Sequence, residues 1–316
     1  MTDPFDRSAN PGVALAASSA EDVGEPRTFW GDAWRILRRR WLFWVSLTLI
    51  VIFVSMALFP GLYVWPSPSP DDPSGLHCIL IEQRQGPSFS EHWFGTDLQG
   101  CDYYAQVTHG ARVSLTVALF ATLITVGLGI LLGGLAGYYG GFLDSLISRT
   151  ADGFFALPYL VGAIIVLSAL TTSDGRQTWH VTVAIGSLGW PAVVRLYRST
   201  VLQVKQLEYV QAARALGASD FRILTRHILP NAVAPTLVYA TISMGAVISV
   251  EATLSFLGIG LPLNSISWGL MLQESADKIE RSGHLLWFPT GYLIAASLGF
   301  VLMGEQLREA FDPRFR

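Results

Sequence analysis

The stretch VSLTVALFATLITVGLGILLGGLAGYYGGFL, residues 113–143, decides the fold of this chain. It contains no Asp, Glu, Lys or Arg. A helix rises about 1.5 Å per residue, so roughly 20 apolar residues cross the hydrocarbon layer of a membrane. In lipid the backbone must satisfy its own hydrogen bonds, which favours a helix. Residues 113–143 therefore predict a transmembrane helix.

Similar uncharged blocks recur along the chain. One such block fits the core of a soluble protein, but six do not, and the alternating pattern of a membrane β-barrel is not apparent. The composition agrees, because only 14% of the residues are charged, against roughly 25% in soluble domains. We therefore expect an all-α integral membrane protein with six transmembrane helices. The predicted spans are 42–60, 112–136, 153–171, 179–195, 232–257 and 286–304.

The Lys and Arg residues predict the orientation of these spans, since cytoplasmic loops carry an excess of positive charge. With the N-terminus inside, five of the 21 fall in outer segments and all the others in inner segments. Both termini are therefore expected in the cytoplasm. The five outer residues are Arg84, Arg112, Arg176, Lys278 and Arg281.

The chain begins with a polar, small-residue-rich stretch, residues 1–28, which predicts a disordered cytoplasmic tail. The following FWGDAWRILRRR, residues 29–40, mixes aromatic residues with four arginines. This mixture is typical of an amphipathic stretch on the inner membrane surface, with its arginines near lipid phosphates. It also fits a simple positive anchor for the first span.

The outer segment between the first two spans holds both cysteines, Cys78 and Cys101. An oxidising exterior permits a disulfide there, which would contribute on the order of 3 kcal/mol. Two free, buried thiols are the alternative. His77 and His92 lie in the same segment, but no regular ligand spacing supports a metal site. We expect no metal, no cofactor and no catalytic residue on this chain.

The longest inner connection is RLYRSTVLQVKQLEYVQAARALGASDFRILTRHILPN, residues 195–231. It predicts a short helix near 207–216, ended by Gly217, and a second helix capped by Ser219. Pro230 is expected to stop the second helix before the fifth span begins. Exposed apolar residues on such a pair suit docking into the groove of a partner protein. A helix lying on the lipid surface is the alternative, and DNA binding is unfavourable because both ends enter the membrane.

Within this loop, QAARALGASDFRILTRHILPN resembles the Glu-Ala-Ala loop of ABC importer permeases. Gln211 stands where the motif usually has glutamate, and His227 where it has an apolar residue. The chain from about Phe29 to its end is similar to the C-type permease subunit of the dipeptide, oligopeptide and nickel systems, although Cys101 replaces a usual arginine. The other matching motifs are FGTD (94–97), GARVSL (110–115), GYYGG (137–141), EATLSFLGIG (251–260), SWG (267–269) and LREAFDPRFR (307–316).

This resemblance implies a type I ABC importer permease, a MetI-like core with an extra N-terminal span, in the bacterial cytoplasmic membrane. Its implied partners are a second homologous permease, two ATPase domains that bind ATP and Mg²⁺, and an extracytoplasmic substrate-binding protein. The implied cargo is a di- or oligopeptide, with nickel or another small solute as the alternative. The residues expected to dock the ATPase are Glu208, Tyr209, Gln211, Ala212, Ala213, Leu216, Gly217, Ala218, Asp220, Phe221 and Pro230.

The chain is not expected to be an enzyme. It has no Gly-x-x-x-x-Gly-Lys-Ser/Thr phosphate loop, and its only lysines are Lys205 and Lys278. Its six histidines are scattered rather than grouped, which disfavours a membrane enzyme. A secondary transporter would usually show internal repeats or intramembrane ionisable groups, and only Glu251 is of that kind. A structural ion pair or a partner contact is the favoured role for Glu251, and a passive membrane scaffold is the remaining alternative.

Small residues and prolines predict how the helices pack. Pro158 and Pro191 are expected to kink their helices. Glycines in the second span allow close helix contact, and they are Gly127, Gly129, Gly133, Gly134 and Gly137. The expected organisation is a tail (1–28), an amphipathic stretch and first span (29–60), an extracytoplasmic loop (61–110), a five-helix permease core (111–306) with coupling loop 196–231, and a cytoplasmic tail (307–316).

Overall fold

The structure is a computed structural model that describes residues 29–64, 76, 78, 86–88, 92–171, 175–278, 280 and 282–311. The predicted disordered tail and His77 lie outside these ranges. Within them the chain is helical, and no β-structure beyond isolated bridges occurs. The helices are α1 Phe29–Leu37, α2 Trp41–Leu58, α3 Tyr103–Tyr139, α4 Gly141–Phe155, α5 Tyr159–Leu170, α6 Thr178–Val204, α7 Glu208–Ala215, α8 Asp220–Phe256, α9 Trp268–Ser275 and α10 His284–Phe311.

The long helices run between two ends of a bundle. At one end, Arg40 forms an ion pair with Glu309, and α1 packs against the last turns of α10 through Ala33 and Ala310. The two ends of the described chain therefore lie at the same end of the bundle. At the opposite end, Arg176 donates hydrogen bonds to the carbonyl oxygens of Gly258 and Gly260, at 3.1 and 3.2 Å.

Among the described residues, four helices are long and apolar enough to cross a membrane, namely α2, α3, α8 and α10. The bent pair α4–α5 would be a fifth. Helix α6 covers the predicted span 179–195 and has 27 residues, but it does not reach the same apolarity. The helical membrane architecture is confirmed, whereas the count of six spans stays a prediction.

The predicted span 153–171 is not one straight helix. Helices α4 and α5 meet at an angle of 99°, and residues 156–158 separate them. Pro158 immediately precedes α5, where its missing N–H costs no helical hydrogen bond. The kink expected at Pro158 is therefore a complete break. Pro191, by contrast, lies inside α6.

Helix α3 begins at Tyr103, nine residues before the predicted start of the second span at residue 112. The Asp102 carboxylate caps it by accepting a hydrogen bond from the Ala105 N–H at 3.0 Å. The 37 residues of α3 extend about 55 Å, well beyond the hydrocarbon layer. Its first turns therefore belong to the segment that the sequence assigned to the outer loop 61–110.

Helices α3 and α6 approach each other along the predicted glycine stripe. A Cβ atom at Gly129 would lie 2.3 Å from Val193 Cβ, and one at Gly133 would lie 2.9 Å from Val194 O. Gly137 is equally crowded by Val201. Gly127 differs, because nothing lies within 4 Å of its Cβ position. Four of the five predicted glycines thus face a neighbouring helix closely, and Gly127 faces open space.

The outer segment packs against the end of the bundle opposite to α1. Phe94 stacks on Phe288 of α10, with 3.8 Å between the ring centroids. The Asp97 carboxylate accepts hydrogen bonds from the backbone N–H groups of Gln99 and Cys101, at 2.7 and 2.8 Å. A disulfide joins Cys101 to Cys78, across 23 positions of sequence. Of the two arrangements that the sequence left open, the structure has the bridged one.

We expect the Cys78→Ser change to lower the stability of this outer segment by about 3 kcal/mol. Without the disulfide, the unfolded chain is no longer closed into a loop and gains conformational entropy. The measurement is the thermal midpoint in detergent without reductant. Cys101→Ser should give the same loss, the double variant no more, and dithiothreitol should destabilise only the wild type. Two titratable thiols in the untreated, folded wild type would contradict this prediction.

Candidate functional site

The predicted docking region lies at the α1 end of the bundle. Here residues 205–219, which we name the docking segment, connect α6 to α8 and contain α7. The first nine residues of the expected coupling loop, 196–204, are a continuation of α6. The segment that leaves the long helices is therefore shorter than the predicted loop 196–231.

Helix α7 is fixed by its C-terminal turn. The N–H groups of Gly217 and Ala218 donate hydrogen bonds to the carbonyl oxygens of Arg214 and Ala213, at 3.0 and 3.1 Å. This is the Schellman arrangement, which needs a left-handed residue after the helix. Gly217 supplies it, with φ of 80°. The predicted helix near 207–216 and its glycine stop agree with this geometry.

The second predicted helix is not separate from the fifth span. Ser219 Oγ accepts a hydrogen bond from the Arg222 N–H at 3.4 Å, and from Asp220 the chain is helical without a break to Phe256. Pro230 was expected to stop this helix, and that was wrong. A π-helical turn at Ile223–Ile228 precedes it; such a turn shifts the hydrogen-bond pattern, which accommodates the proline ring.

One side of α7, the side of Val210, packs against the helix bundle. Val210 is buried in one hydrophobic cluster with Tyr197 and Val201 of α6 and with Ile223 and Ile228 of α8. Because these side chains come from two long helices, the orientation of α7 is set by the bundle itself.

Polar contacts complete this attachment. Gln211 Nε2 donates to the Lys205 carbonyl oxygen at 3.2 Å, so the amide that replaces the usual glutamate binds the end of α6. Partial burial raises the pKa of the Tyr209 phenol above its ordinary value. Its hydroxyl donates to the His227 carbonyl oxygen at 3.4 Å.

Large apolar side chains are exposed on the docking segment and on the first turn of α8. Leu216 is 89% exposed and Phe221 is 76% exposed, and Leu207 and Tyr209 are more than a third exposed. Leu216 caps the end of α7 and projects away from the buried side of that helix. Large apolar side chains exposed together in this way mark an interaction surface.

The structure distributes the predicted docking residues over two regions. Glu208, Gln211, Ala212 and Gly217 are exposed within the docking segment. Pro230 lies further along α8 and is also exposed. Tyr138, at the end of α3, was missed by the sequence reasoning although it belongs to the quoted GYYGG motif. Its hydroxyl donates to Asp220 Oδ1 at 2.5 Å.

Glu251 lies toward the other end of α8, far from the docking segment. It is fully buried, and its Oε1 accepts a hydrogen bond from Ser255 Oγ at 2.9 Å. The expected ion pair is therefore not found among the described residues, and the hydrogen bond of the Glu251 carboxyl group comes from the Ser255 hydroxyl. Among all the residues that the structure describes, no group of three or more His, Cys, Asp or Glu side chains lies close enough together to hold a metal ion.

Comparisons with known proteins agree with the architecture. Residues 129–316 match the family described as binding-protein-dependent transport system inner membrane component. Residues 28–85 match the N-terminal TM domain of oligopeptide transport permease C. Together these matches cover both the N-terminal helices and the docking segment.

Individual proteins match over nearly the whole chain. The dipeptide transport system permease protein DppC of Bacillus subtilis (strain 168) is 36% identical over 300 residues, which are 94% of this chain and 90% of that protein. OppC, an oligopeptide transport system permease protein of the same strain, is 32% identical over 305 residues, 96% of each. The glutathione transport system permease protein GsiD of Escherichia coli O6:K15:H31 (strain 536 / UPEC) is 36% identical over 304 residues, 96% of this chain and 97% of that protein.

A solved structure shares the fold. It is an inward-facing conformation of the MetNI methionine ABC transporter, and it aligns with a TM-score of 0.52 over 65% of this chain and 96% of that chain. The sequence identity is 18%, so this likeness concerns the fold alone.

Proposed function

Because the chain belongs to the family of binding-protein-dependent transport system inner membrane components, we propose that it is a permease subunit that docks a separate ATPase through residues 205–221. The observation that carries this proposal is a pair of exposed side chains, Leu216 at the C-terminal end of α7 and Phe221 in the first turn of α8. They lie beside a hydrophobic cluster that joins α7 to two long helices. Large apolar side chains exposed in this way mark an interaction surface.

ATP and Mg²⁺ would bind to the partner ATPase and not to this chain. Closure of two ATPase domains would displace α7, and the displacement would reach α6 and α8 through the buried contacts of Val210. The long helices would then tilt between inward-open and outward-open arrangements, a two-state change biased by nucleotide. This coupling needs no catalytic residue on the permease. It requires that the docking segment stay attached to α6 and α8.

The docking segment and both ends of the described chain share one end of the bundle, since Asn231 of α8 and Arg308 of α10 line the same cavity there. The excess of Lys and Arg in the predicted inner segments supports a cytoplasmic location for this end. The disulfide at the opposite end supports an oxidising exterior for that side. The proposed location is the bacterial cytoplasmic membrane, with both termini inside.

A second, homologous permease subunit is the proposed partner of the α4–α5 bend. Phe154, Phe155 and Leu157 are exposed around it, and the backbone at residues 156–158 is not helical. Irregular backbone is tolerated at membrane depth only where it is covered by protein or lines a water-filled cavity. A translocation path between two subunits would meet that requirement, with an extracytoplasmic binding protein delivering the substrate.

Peptides are the proposed cargo. The relatives named above transport dipeptides, oligopeptides or glutathione, itself a short peptide, and each matches over at least nine-tenths of its length. Nickel or another small solute is the alternative within the importer class, and a secondary transporter is the alternative outside it.

The proposal is tested by the composition of the purified protein. The tagged chain is expressed together with the genes that flank its own, purified in mild detergent and analysed by mass spectrometry. We expect an ATPase and a second permease in stoichiometric amounts. If the chain purifies alone, although the ATPase encoded by a flanking gene is expressed and soluble, the proposal of an ATP-driven importer is overturned. A secondary transporter is then favoured.

A further inference from the structure

One tyrosine at the end of α3 contacts all three parts of the docking region. The Tyr138 hydroxyl donates to Asp220 Oδ1, in the first residue of α8, at 2.5 Å. Arg214 of α7 lies within reach of the same hydroxyl. Lys205, at the end of α6, donates from Nζ to the Tyr138 carbonyl oxygen at 2.5 Å, and its ammonium lies 5.3 Å from the ring centroid.

These contacts do more than complete the end of a helix. The last carbonyl groups of an α-helix have no partner within the helix, and a cation there is favoured by the helix dipole. Lys205 meets that need for α3. The phenol, however, is directed at Asp220, which lies 82 positions away in sequence. A cap alone would not require that second contact.

Helix α3 is separated from the docking segment by three helices in sequence, whereas α6 and α8 directly precede and follow that segment. The side chain of Tyr138 is buried in the same cluster as Val210. Through its glycine stripe α3 also packs closely on α6. The polar contacts of Tyr138 thus join the end of α3 directly to α7 and to the first turn of α8, in addition to its packing on α6.

We propose that Tyr138 is a positioning residue that transmits movement of the docking segment to α3. This inference rests on the proposed function, since it assumes that an ATPase moves the segment. Without the Tyr138 hydroxyl, the ATPase still binds and hydrolyses ATP, but α3 no longer follows the docking segment and transport is uncoupled from hydrolysis.

The test is Tyr138→Phe in the complete transporter, reconstituted in proteoliposomes with its binding protein and a labelled dipeptide. We expect ATPase binding and basal hydrolysis within about twofold of wild type, and uptake per ATP lowered by about tenfold, as for loss of a hydrogen bond to a charged group. Tyr139→Phe is the matched control. This neighbour carries the same substitution, but its ring is 55% exposed, and it should behave as wild type.

A second pair of variants separates positioning from folding. Asp220→Asn keeps an acceptor for the phenol and should keep the wild-type uptake per ATP, whereas Asp220→Leu removes the acceptor and should lower it as Tyr138→Phe does. Uptake in the Tyr138→Phe, Asp220→Leu double variant should be no lower than in the worse single variant, because both remove one interaction. ATPase binding is measured for each Asp220 variant, since this residue also belongs to the predicted docking set.

The outcomes distinguish this inference from the proposed function. If Tyr138→Phe keeps the uptake per ATP of Tyr139→Phe, the inference is overturned while the importer function stands. If Tyr138→Phe instead releases the ATPase, Tyr138 supports the docking surface and does not transmit movement, which also overturns the inference. If the wild-type chain binds no ATPase, the proposed function itself fails.

Discussion

The double variant Leu216→Ser, Phe221→Ser is expected to bind the partner ATPase about 1,000-fold more weakly than the wild type. Both side chains are almost fully exposed in this chain, so their removal costs the permease little stability. In a complex each would be buried, and a buried large apolar side chain contributes about 2 kcal/mol. Two such losses make about 4 kcal/mol, which corresponds to that change in Kd.

The measurement is the amount of ATPase retained by the tagged chain at a series of ATPase concentrations. The matched control is Leu62→Ser, Leu263→Ser, because these leucines are 74% and 78% exposed but lie at the opposite end of the bundle. The control should bind as the wild type does. Equal retention by the docking variant and the control would show that the ATPase is held elsewhere.

Gly129→Leu is expected to prevent the chain from accumulating in a folded form. A Cβ at this position would approach Val193 Cβ and Cγ1 to 2.3 Å, so α3 and α6 would have to separate along their closest contact. Overpacking alone costs about 1–3 kcal/mol. Because both helices cross the whole bundle, we expect a loss of about 3 kcal/mol or more.

Gly127→Leu provides the control for this prediction. It makes the same substitution two residues earlier in the same helix, where the Cβ meets nothing within 4 Å. The readout is the yield of monodisperse protein and its thermal midpoint in detergent. We expect Gly127→Leu to match the wild type, and equal behaviour of the two variants would show that α3 and α6 do not pack as described.

Much of the fold follows from local sequence patterns. Uncharged blocks predicted the long helices, and the glycine stripe predicted the contact of α3 with α6. In the docking region, Gly217 predicted the end of α7 and Ser219 predicted the start of α8, as the structure has them. These predictions succeed because helix length, left-handed turns and N-caps depend on residues close together in sequence.

The errors arise where distant contacts or backbone adjustments decide the outcome. The sequence shows Pro230 but not the π-helical turn before it, which lets the helix continue. It shows Pro158 but not that the chain turns by 99° there. It also shows a tyrosine in GYYGG without its partner Asp220, since the two meet only when α3 and α8 are folded.

The central claim is that this chain moves a substrate across the membrane only when a docked ATPase hydrolyses ATP. The most direct measurement is uptake of a labelled dipeptide into proteoliposomes that contain the chain, its co-purified partners and the binding protein. We predict uptake that requires ATP on the docking side, is lost with Leu216→Ser, Phe221→Ser, and is unaffected by collapse of the proton gradient. Uptake that proceeds without ATP and stops when the proton gradient is collapsed would contradict the account.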